Sequence, residues 1–311
     1  MSAEERDGVS LTNLDQPLFD GAEATKRDLV DYLDTMRDRI LPGLAGRPLS
    51  VIRVLRDQPP FMQKNLPKYA PPWIKSVSLW AESSQREVKY AVCDDRRTLL
   101  WFANQRAIEY HPTLVRDRRQ THLILDIDPP ETDGFHLAVA AAQLVRQALS
   151  DSGLAGAVKT SGAKGVHVVV PVAELPIEDI AAATRALAAR AERIDPVLAT
   201  TAFIREDRGG KVFLDSTRAG GATVVAAYSP RVRPGTPVSF PVPWSDLDRV
   251  SPSEFTIRTA AGLVGDRDPW AETMPEPQRL PGDLVAEGHT IPIARVQAMH
   301  EGKRRARARR G

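Results

Sequence analysis

Cysteine is nearly absent from this chain. Cys93 stands alone, which excludes an internal disulfide and a thiolate metal cluster and leaves a small buried strand residue as its simplest role. Long apolar runs are also missing. No stretch of 18 apolar residues is available to span a membrane, and the N-terminus Met1-Ser-Ala-Glu-Glu-Arg6 has no hydrophobic signal region, so a cytoplasmic protein without a membrane partner is expected. Strong net charge is lacking too. The total is +2, and the six basic residues of Lys303-Arg-Arg-Ala-Arg-Ala-Arg-Arg310 exceed it, so the rest of the chain is acidic overall. Any phosphate binding in the body must therefore come from local clusters. The tail could hold polyanions in a salt-sensitive way or serve as a disordered solubilising end. There is no internal repeat and no Walker motif.

What is present is enough apolar material, 42% of 311 residues, to bury a large core in one domain or two lobes. Thr25 reads as the N-cap of a helix whose stripe Leu29, Leu33, Met36 and Ile40 runs until Pro42-Gly43. Leu49–Leu55 reads as a strand, followed by a proline-rich stretch with little regular structure until Val77. Lys89–Val92 and Leu99–Phe102 read as strands joined by the charged turn Asp94-Asp-Arg-Arg97. Phe135–Leu149 and Pro176–Arg193 are alanine-rich helices. Between them a strand through Lys159 returns by Ser161-Gly-Ala-Lys-Gly165 into Val166–Val170 as a hairpin. Lys211–Asp215 is a further strand. Trp244, Phe255 and Trp270 anchor a proline-rich wrapper, and weak order is expected past about Gly282. This order predicts an α/β (α+β) fold with a mixed or antiparallel sheet flanked by helices.

Asp126 and Asp128 end the apolar run His122-Leu-Ile-Leu-Asp-Ile-Asp128. On a strand they share a face, while Leu123, Leu125 and Ile127 point to the other. Two like charges about 4 Å apart repel by roughly 4 kcal/mol at an effective dielectric near 20, so the pair calls for a cation, a proton or bulk water. A hard divalent ion, Mg²⁺ or Mn²⁺, suits an all-oxygen donor set. Asp215 ends another apolar strand, and three carboxylates holding two metals suit nucleotidyl transfer. A lone DxD can equally be a turn or a helix cap.

Ser161-Gly-x-Lys164-Gly-x-His167 offers a hydroxyl, glycine backbone, a cation and an imidazole, which is what a triphosphate needs. It could also be a hairpin with a surface lysine, and His167 a satisfied half-buried residue. Arg218, Arg231 and Arg233 could grip phosphate or be solvated. Phe61 and Lys64 pair an aromatic face with a cation, which suits an unpaired base beside a phosphate; Phe61 could equally be core.

Taken together, these segments resemble the polymerase domain of bacterial ligase D proteins, in the archaeo-eukaryotic primase (primase-polymerase) superfamily. The similarity is collinear from about Val9 to Ile257. It runs through Leu11-Thr-Asn-Leu-Asp15, Thr25-Lys26, Arg47-Pro-Leu-Ser50, Phe61-x-x-Lys64, Ile108-Glu-Tyr-His-Pro112, Asp126-Ile-Asp128, Lys159-Thr-Ser-Gly-x-Lys-Gly-x-His167, Val212-Phe-Leu-Asp215, Tyr228-Ser-x-Arg231 and Pro237-Val-Ser-x-Pro-x-x-Trp244. The resemblance implies a DNA-directed nucleotidyltransferase that fills short gaps or extends ends in non-homologous end joining. Its substrates would be NTPs or dNTPs, with Mn²⁺ or Mg²⁺ as cofactor. Asp126, Asp128 and Asp215 would hold the metals. Ser161, Lys164, His167, Arg218 and Arg231 would bind the triphosphate, with Arg53 and His111 near the incoming nucleotide. Asn13 and Lys26 match positions that bind a downstream 5′-phosphate on DNA, and Phe61 and Lys64 would contact the template.

Four positions depart from the family pattern: Gln16 where lysine is usual, Met62 in place of a second aromatic, Thr113 for tryptophan and Ala219 for asparagine. The first removes a cation from the 5′-phosphate pocket. The expectation is a free-standing monomeric catalytic domain over 1–282 in two closely packed lobes, with a weakly ordered basic tail at 283–311. It would be nucleoid-associated and work with template-primer or gapped DNA, a separate ligase and an end-binding protein. A DxD glycosyltransferase and a non-catalytic DNA-end binder are the alternatives.

Overall fold

Side-chain chemistry sets the first boundary where the sequence puts it. In the computed structural model, which describes residues 4–81, 85–131, 134–219 and 222–293, the Thr25 hydroxyl accepts from the Asp28 N–H while the Asp28 carboxylate accepts from the Thr25 N–H. This reciprocal cap starts the helix. The basic tail at 303–310 lies outside the described residues.

In chain order the elements are β1 Glu4–Arg6, β2 Val9–Leu11, α1 Lys26–Thr35, α2 Arg37–Leu44, β3 Leu49–Arg53, β4 Phe61–Gln63, β5 Ser76–Ala81, β6 Arg86–Ala91, α3 Arg96–Asn104, β7 Ala107–Pro112 and β8 Val115–Arg116. They continue with β9 Arg119–Gln120, β10 His122–Asp128, α4 Phe135–Asp151, β11 Ala157–Thr160, β12 Val166–Pro171, α5 Ile177–Ile194, β13 Ala199–Thr200, β14 Val212–Asp215, α6 Ala260–Val264, α7 Pro269–Thr273 and α8 Gly282–Thr290. The chain divides into two units, one of residues 1–118, 159–163 and 223–273, the other of 119–158, 164–222 and 274–311.

The first unit carries an antiparallel sheet in the order β4-β3-β6-β5, with β7 also paired to β3. Leu29, Leu33, Met36 and Ile40 are all fully buried, as their spacing predicts, but they belong to two helices broken at Met36 rather than to one. Pro42 sits inside α2 instead of ending it. Between β3 and β5 the described residues hold just the three-residue β4, in keeping with the little regular structure expected of the proline-rich stretch. Another expectation fails here: Leu99–Phe102 is helix, not strand. Asp95 caps α3 through the Thr98 N–H, and Leu99, Leu100, Trp101 and Phe102 are all buried, so the run lies in a helix packed nearly all round. In the wrapper, Phe255 stacks on Phe240 with ring centroids 4.2 Å apart, while Trp244 and Trp270 are half-buried.

The second unit is built on a sheet ordered β11-β12-β10-β14-β13, antiparallel along β12-β10-β14 and parallel at β13-β14. It is the mixed sheet the sequence predicts. Leu123, Leu125 and Ile127 are fully buried, with α4 and α5 packed on β10. Weak order does not begin at Gly282: residues 282–290 form α8, which packs on α5. Arg190 pairs with Asp283 and Glu287, Arg193 with Glu287, and His289 with Asp179. Gly288 makes the close approach possible, because a Cβ there would lie 1.9 Å from the Ala182 carbonyl oxygen. In an open helix Gly→Ala would be stabilising by about 1 kcal/mol. Here Gly288→Ala is expected to destabilise by about 1–3 kcal/mol through overpacking, read as a lowered melting temperature.

Candidate active site

Strand register brings the acidic residues of the second unit together. Asp126 on β10 lies directly across from His167 on β12 and from Asp215 on β14, and Asp128 lies across from Phe213. The imidazole Nε2 of His167 is 3.1 Å from Asp126 Oδ1. Arg218 bridges two carboxylates, with Nη2 2.9 Å from Asp126 Oδ2 and 3.2 Å from Asp215 Oδ2. Asp215 Oδ1 accepts from the Thr217 N–H at 2.8 Å and its hydroxyl at 2.6 Å. Burial pushes the Asp126 carboxyl up, but the charges and hydrogen bonds of His167 and Arg218 outweigh it and hold the group well below the usual carboxylate range. Asp128 has no such pair. Burial and then the Asp126 charge raise its pKa to about 6, against the opposing charges of Lys164 and Arg218.

Lys164 Nζ donates to the Pro129 carbonyl at 2.6 Å, just past Asp128. The hairpin can lie this close because position 165 is glycine. A Cβ at Gly165 would fall 2.4 Å from the Ile127 carbonyl oxygen and 3.5 Å from Asp128 Oδ1.

Arg208 is a residue the sequence reading passed over. Its guanidinium lies 3.7 Å from the Phe213 ring centroid and donates to the carbonyls of Ala202 and Phe203. Burial lowers its pKa, while the charges of Asp128 and Asp215 act in the opposite direction. It ends the one-turn 3₁₀ helix Arg205–Arg208, whose sequence Arg205-Glu-Asp-Arg-Gly-Gly-Lys211 has no periodicity to read. Asp215 and Phe213 mark the strand it stacks on.

The donor chemistry of Asp126, Asp128 and Asp215 fits a hard divalent cation, and the raised Asp128 carboxyl marks where positive charge is wanted. Among the described residues, however, no three His, Cys, Asp or Glu side chains are gathered to hold one ion as they stand. Arg218 already bridges two of the three acids.

The first unit holds the remaining candidates in separate places. Glu109 and His111 lie on β7, where Glu109 Oε2 is 2.8 Å from His111 Nε2 and 3.0 Å from Arg231 Nε. Arg231 Nη1 donates to the Ser161 carbonyl, and Gly162, at φ +68°, leaves no room for a Cβ beside Arg231 and Ser239. Arg53 donates to Gln63, Tyr69 and Gln105, and its guanidinium lies 5.8 Å from the exposed Phe61 ring. Lys64 and Asn13 are exposed, Asn13 with φ +53°. Lys26 is buried, and its Nζ donates to the Thr12 carbonyl at 2.6 Å. Desolvation and the Arg106 charge lower its pKa to about 8. Gln16, Phe19, Arg56 and Arg106 help line a cavity of about 650 Å³. Cys93 is fully buried, in keeping with a packing role, but it lies just past the end of β6 rather than in a strand.

The profile of the family described as LigD, primase-polymerase domain, matches residues 25–270. The chain belongs to this family. It is 31% identical over 264 residues to the bifunctional non-homologous end joining protein LigD of Bacillus subtilis, covering 82% of this chain and 42% of that protein. It is 34% identical over 256 residues to the multifunctional non-homologous end joining DNA repair protein LigD of Mycobacterium tuberculosis, covering 77% and 33%. The chain thus spans about two-fifths or less of the length of these relatives. Among solved structures it is similar to the polymerase domain of Mycobacterium tuberculosis ligase D in complex with DNA, with TM-score 0.79 and 30% identity over 87% of this chain and 98% of that one. The family and fold expected from the motifs are those found. No helix among the described residues is long and apolar enough to cross a membrane.

The Asp128 environment yields a signed expectation. A folded-state pKa near 6, above the ordinary 3.8, means that the folded protein binds this proton more tightly than the unfolded chain. The contribution of Asp128 to the stability of the metal-free protein therefore falls as pH rises from about 4 to about 6 and stays lower above it. In the presence of a chelator, Asp128→Asn should exceed wild-type stability by roughly 1–3 kcal/mol at pH 7 and lose that advantage at pH 4. Adding Mn²⁺ at pH 7 should raise the melting temperature of wild type and not of the variant; thermal denaturation reads both.

Proposed function

We propose that the chain is a DNA-directed nucleotidyltransferase of non-homologous end joining, which fills short gaps or extends ends with NTPs or dNTPs. The observation that carries this reading is the convergence, on one sheet, of Asp126, Asp128 and Asp215 with His167 and Arg218, beside the Lys164 hairpin. Family membership supports the same activity. The matched solved structure is of a polymerase domain in complex with DNA, which supports template-primer or gapped DNA as the partner.

Divalent metal, Mn²⁺ or Mg²⁺, held by Asp126, Asp128 and Asp215 would activate the primer 3′-hydroxyl and neutralise the departing pyrophosphate. The protein's own groups do the rest. His167 keeps Asp126 ionised and oriented. Arg218, now shared between Asp126 and Asp215, and Lys164, whose ammonium donates to the Pro129 carbonyl, are the cations that would be available to polyphosphate oxygens. Arg208 adds fixed positive charge beside Asp128 and Asp215. The nucleotide roles of Ser161, Arg231, Arg53 and His111 rest on the motif match.

For DNA, Lys26 is a buried ammonium whose hydrogen bond goes to a carbonyl rather than a carboxylate, the state expected of a cation reserved for a phosphate. Asn13 beside it would share the downstream 5′-phosphate, with Gln16 supplying no charge. Phe61, exposed and next to Lys64, is free to stack on a template base. Such a protein would work in the bacterial cytosol, at the nucleoid, with a ligase and an end-binding protein.

Primer extension on gapped DNA tests the reading. Asp126→Ala with Asp128→Ala is expected to keep the fold and DNA affinity while extension in Mn²⁺ drops below detection. Undiminished extension by the folded double variant would refute the site. DNA binding without any incorporation by wild type would point instead to a non-catalytic end binder.

A further inference from the structure

Glu109 has no role in the reading above, yet two hydrogen-bond donors and a guanidinium converge on it in the first unit. Its Oε2 lies 2.8 Å from His111 Nε2 and 3.0 Å from Arg231 Nε, and its Oε1 accepts from the Val232 N–H at 2.8 Å. The side chain is buried at 3% exposure. Two residues apart on β7, Glu109 and His111 share a strand face, so the carboxylate reaches the imidazole without leaving its own row. Both side chains it grips belong to the nucleotide set of the proposed function, and the backbone N–H it holds follows one of them. A carboxylate that served packing alone would have no reason to select these three.

The chemistry of the contact settles which atom carries the proton. Burial raises the Glu109 pKa, but His111 and Arg231 outweigh it and bring it down to about 2, so the group is ionised and can only accept. The proton between them therefore sits on His111 Nε2. Burial, helped by the Arg231 and Lys159 charges, lowers the His111 pKa against the pull of Glu109, so the ring is neutral at pH 7. Its Nδ1, with no hydrogen-bond partner among the described residues, is left as a lone-pair acceptor. Arg231 is likewise constrained: its guanidinium is ion-paired to Glu109, with Nε 3.0 Å away but outside hydrogen-bonding geometry, Nη1 donates to the Ser161 carbonyl, and Nη2 has no partner among the described residues.

We propose that Glu109 is a positioning residue for the incoming nucleotide, fixing His111 as the Nε2–H tautomer so that Nδ1 meets an O–H or N–H of the nucleotide, and aiming the open edge of Arg231 at a phosphate oxygen. This rests on the polymerase reading of the chain. It assigns a function to the glutamate of Ile108-Glu-Tyr-His-Pro112 beyond that of the histidine beside it.

Glu109→Gln tests it. The substitution keeps the shape, removes the charge and presents an amide N–H to which His111 Nε2 can act as acceptor. Long-range ¹H–¹⁵N NMR of histidine-labelled protein, with the His111 signal assigned by its loss in His111→Gln, should show the Nε2–H tautomer in wild type and the Nδ1–H tautomer in the variant. In primer extension, KM for the nucleotide should rise about tenfold or more, as expected for loss of a charge-assisted contact, with a smaller change in kcat and unchanged template-primer affinity. Adding Glu109→Gln to His111→Gln should cost less than the product of the two single effects, because one acts partly through the other.

An Nδ1–H tautomer in wild type overturns the proposal, whatever the variant does. So do an unchanged KM in an active, folded Glu109→Gln protein and losses that multiply in the double variant. Absence of extension by wild type would instead remove the polymerase reading on which the proposal stands.

Discussion

Like charges held on one face of a strand are the constraint around which the second unit is organised. Leu123, Leu125 and Ile127 are locked beneath α4 and α5, so Asp126 and Asp128 cannot turn away from each other without exposing the core. The repulsion must be relieved in place. His167 and Arg218 relieve it at Asp126, Arg218 and Thr217 at Asp215, and burial leaves Asp128 as the acid whose charge is not fully compensated. Electrostatic tension concentrated on one carboxylate is a common property of sites that bind cations.

Much of this was legible in the sequence, for definite reasons. Period-two alternation in His122–Asp128 is enough to put the two aspartates on one face and the leucines on the other. The identity of the cross-strand partners is not contained in that pattern. It is set by the β10-β12 and β10-β14 registers, between strands that α4 and β11, and then α5 and β13, separate along the chain. The apolar strand ending at Asp215 and the hairpin ending at His167 offered the third carboxylate and the histidine as candidates, and the collinear motifs tied them to the same site.

Failures had equally physical causes. Leu99-Leu-Trp-Phe102 is a short apolar run that suits a buried strand and a buried helix alike, and the deciding signal was Asp95 three residues before Thr98. The α8 segment has two glycines and few apolar residues, so propensity argues against it; packing against α5 and ion pairs to Arg190 and Arg193 supply what propensity does not. Arg208 and Glu109 were missed because an arginine on a single 3₁₀ turn and a buried glutamate show their importance only through their neighbours. The burial of Lys26 was likewise invisible, although the motif match pointed to that residue.

The Arg218 bridge has a consequence for how such a centre would respond to its surroundings. With its guanidinium shared between Asp126 and Asp215, the sheet is already neutralised in part before any ligand arrives. Loading is then an exchange of counterions rather than the filling of a bare anionic hole. An internal competitor of this kind weakens the grip on isolated ions and favours ligands that bring their own anionic groups to receive the displaced arginine. A charged metabolite and its cation arriving together would satisfy every party, whereas either alone would leave one charge stranded, so a centre of this kind would discriminate against incomplete cargo.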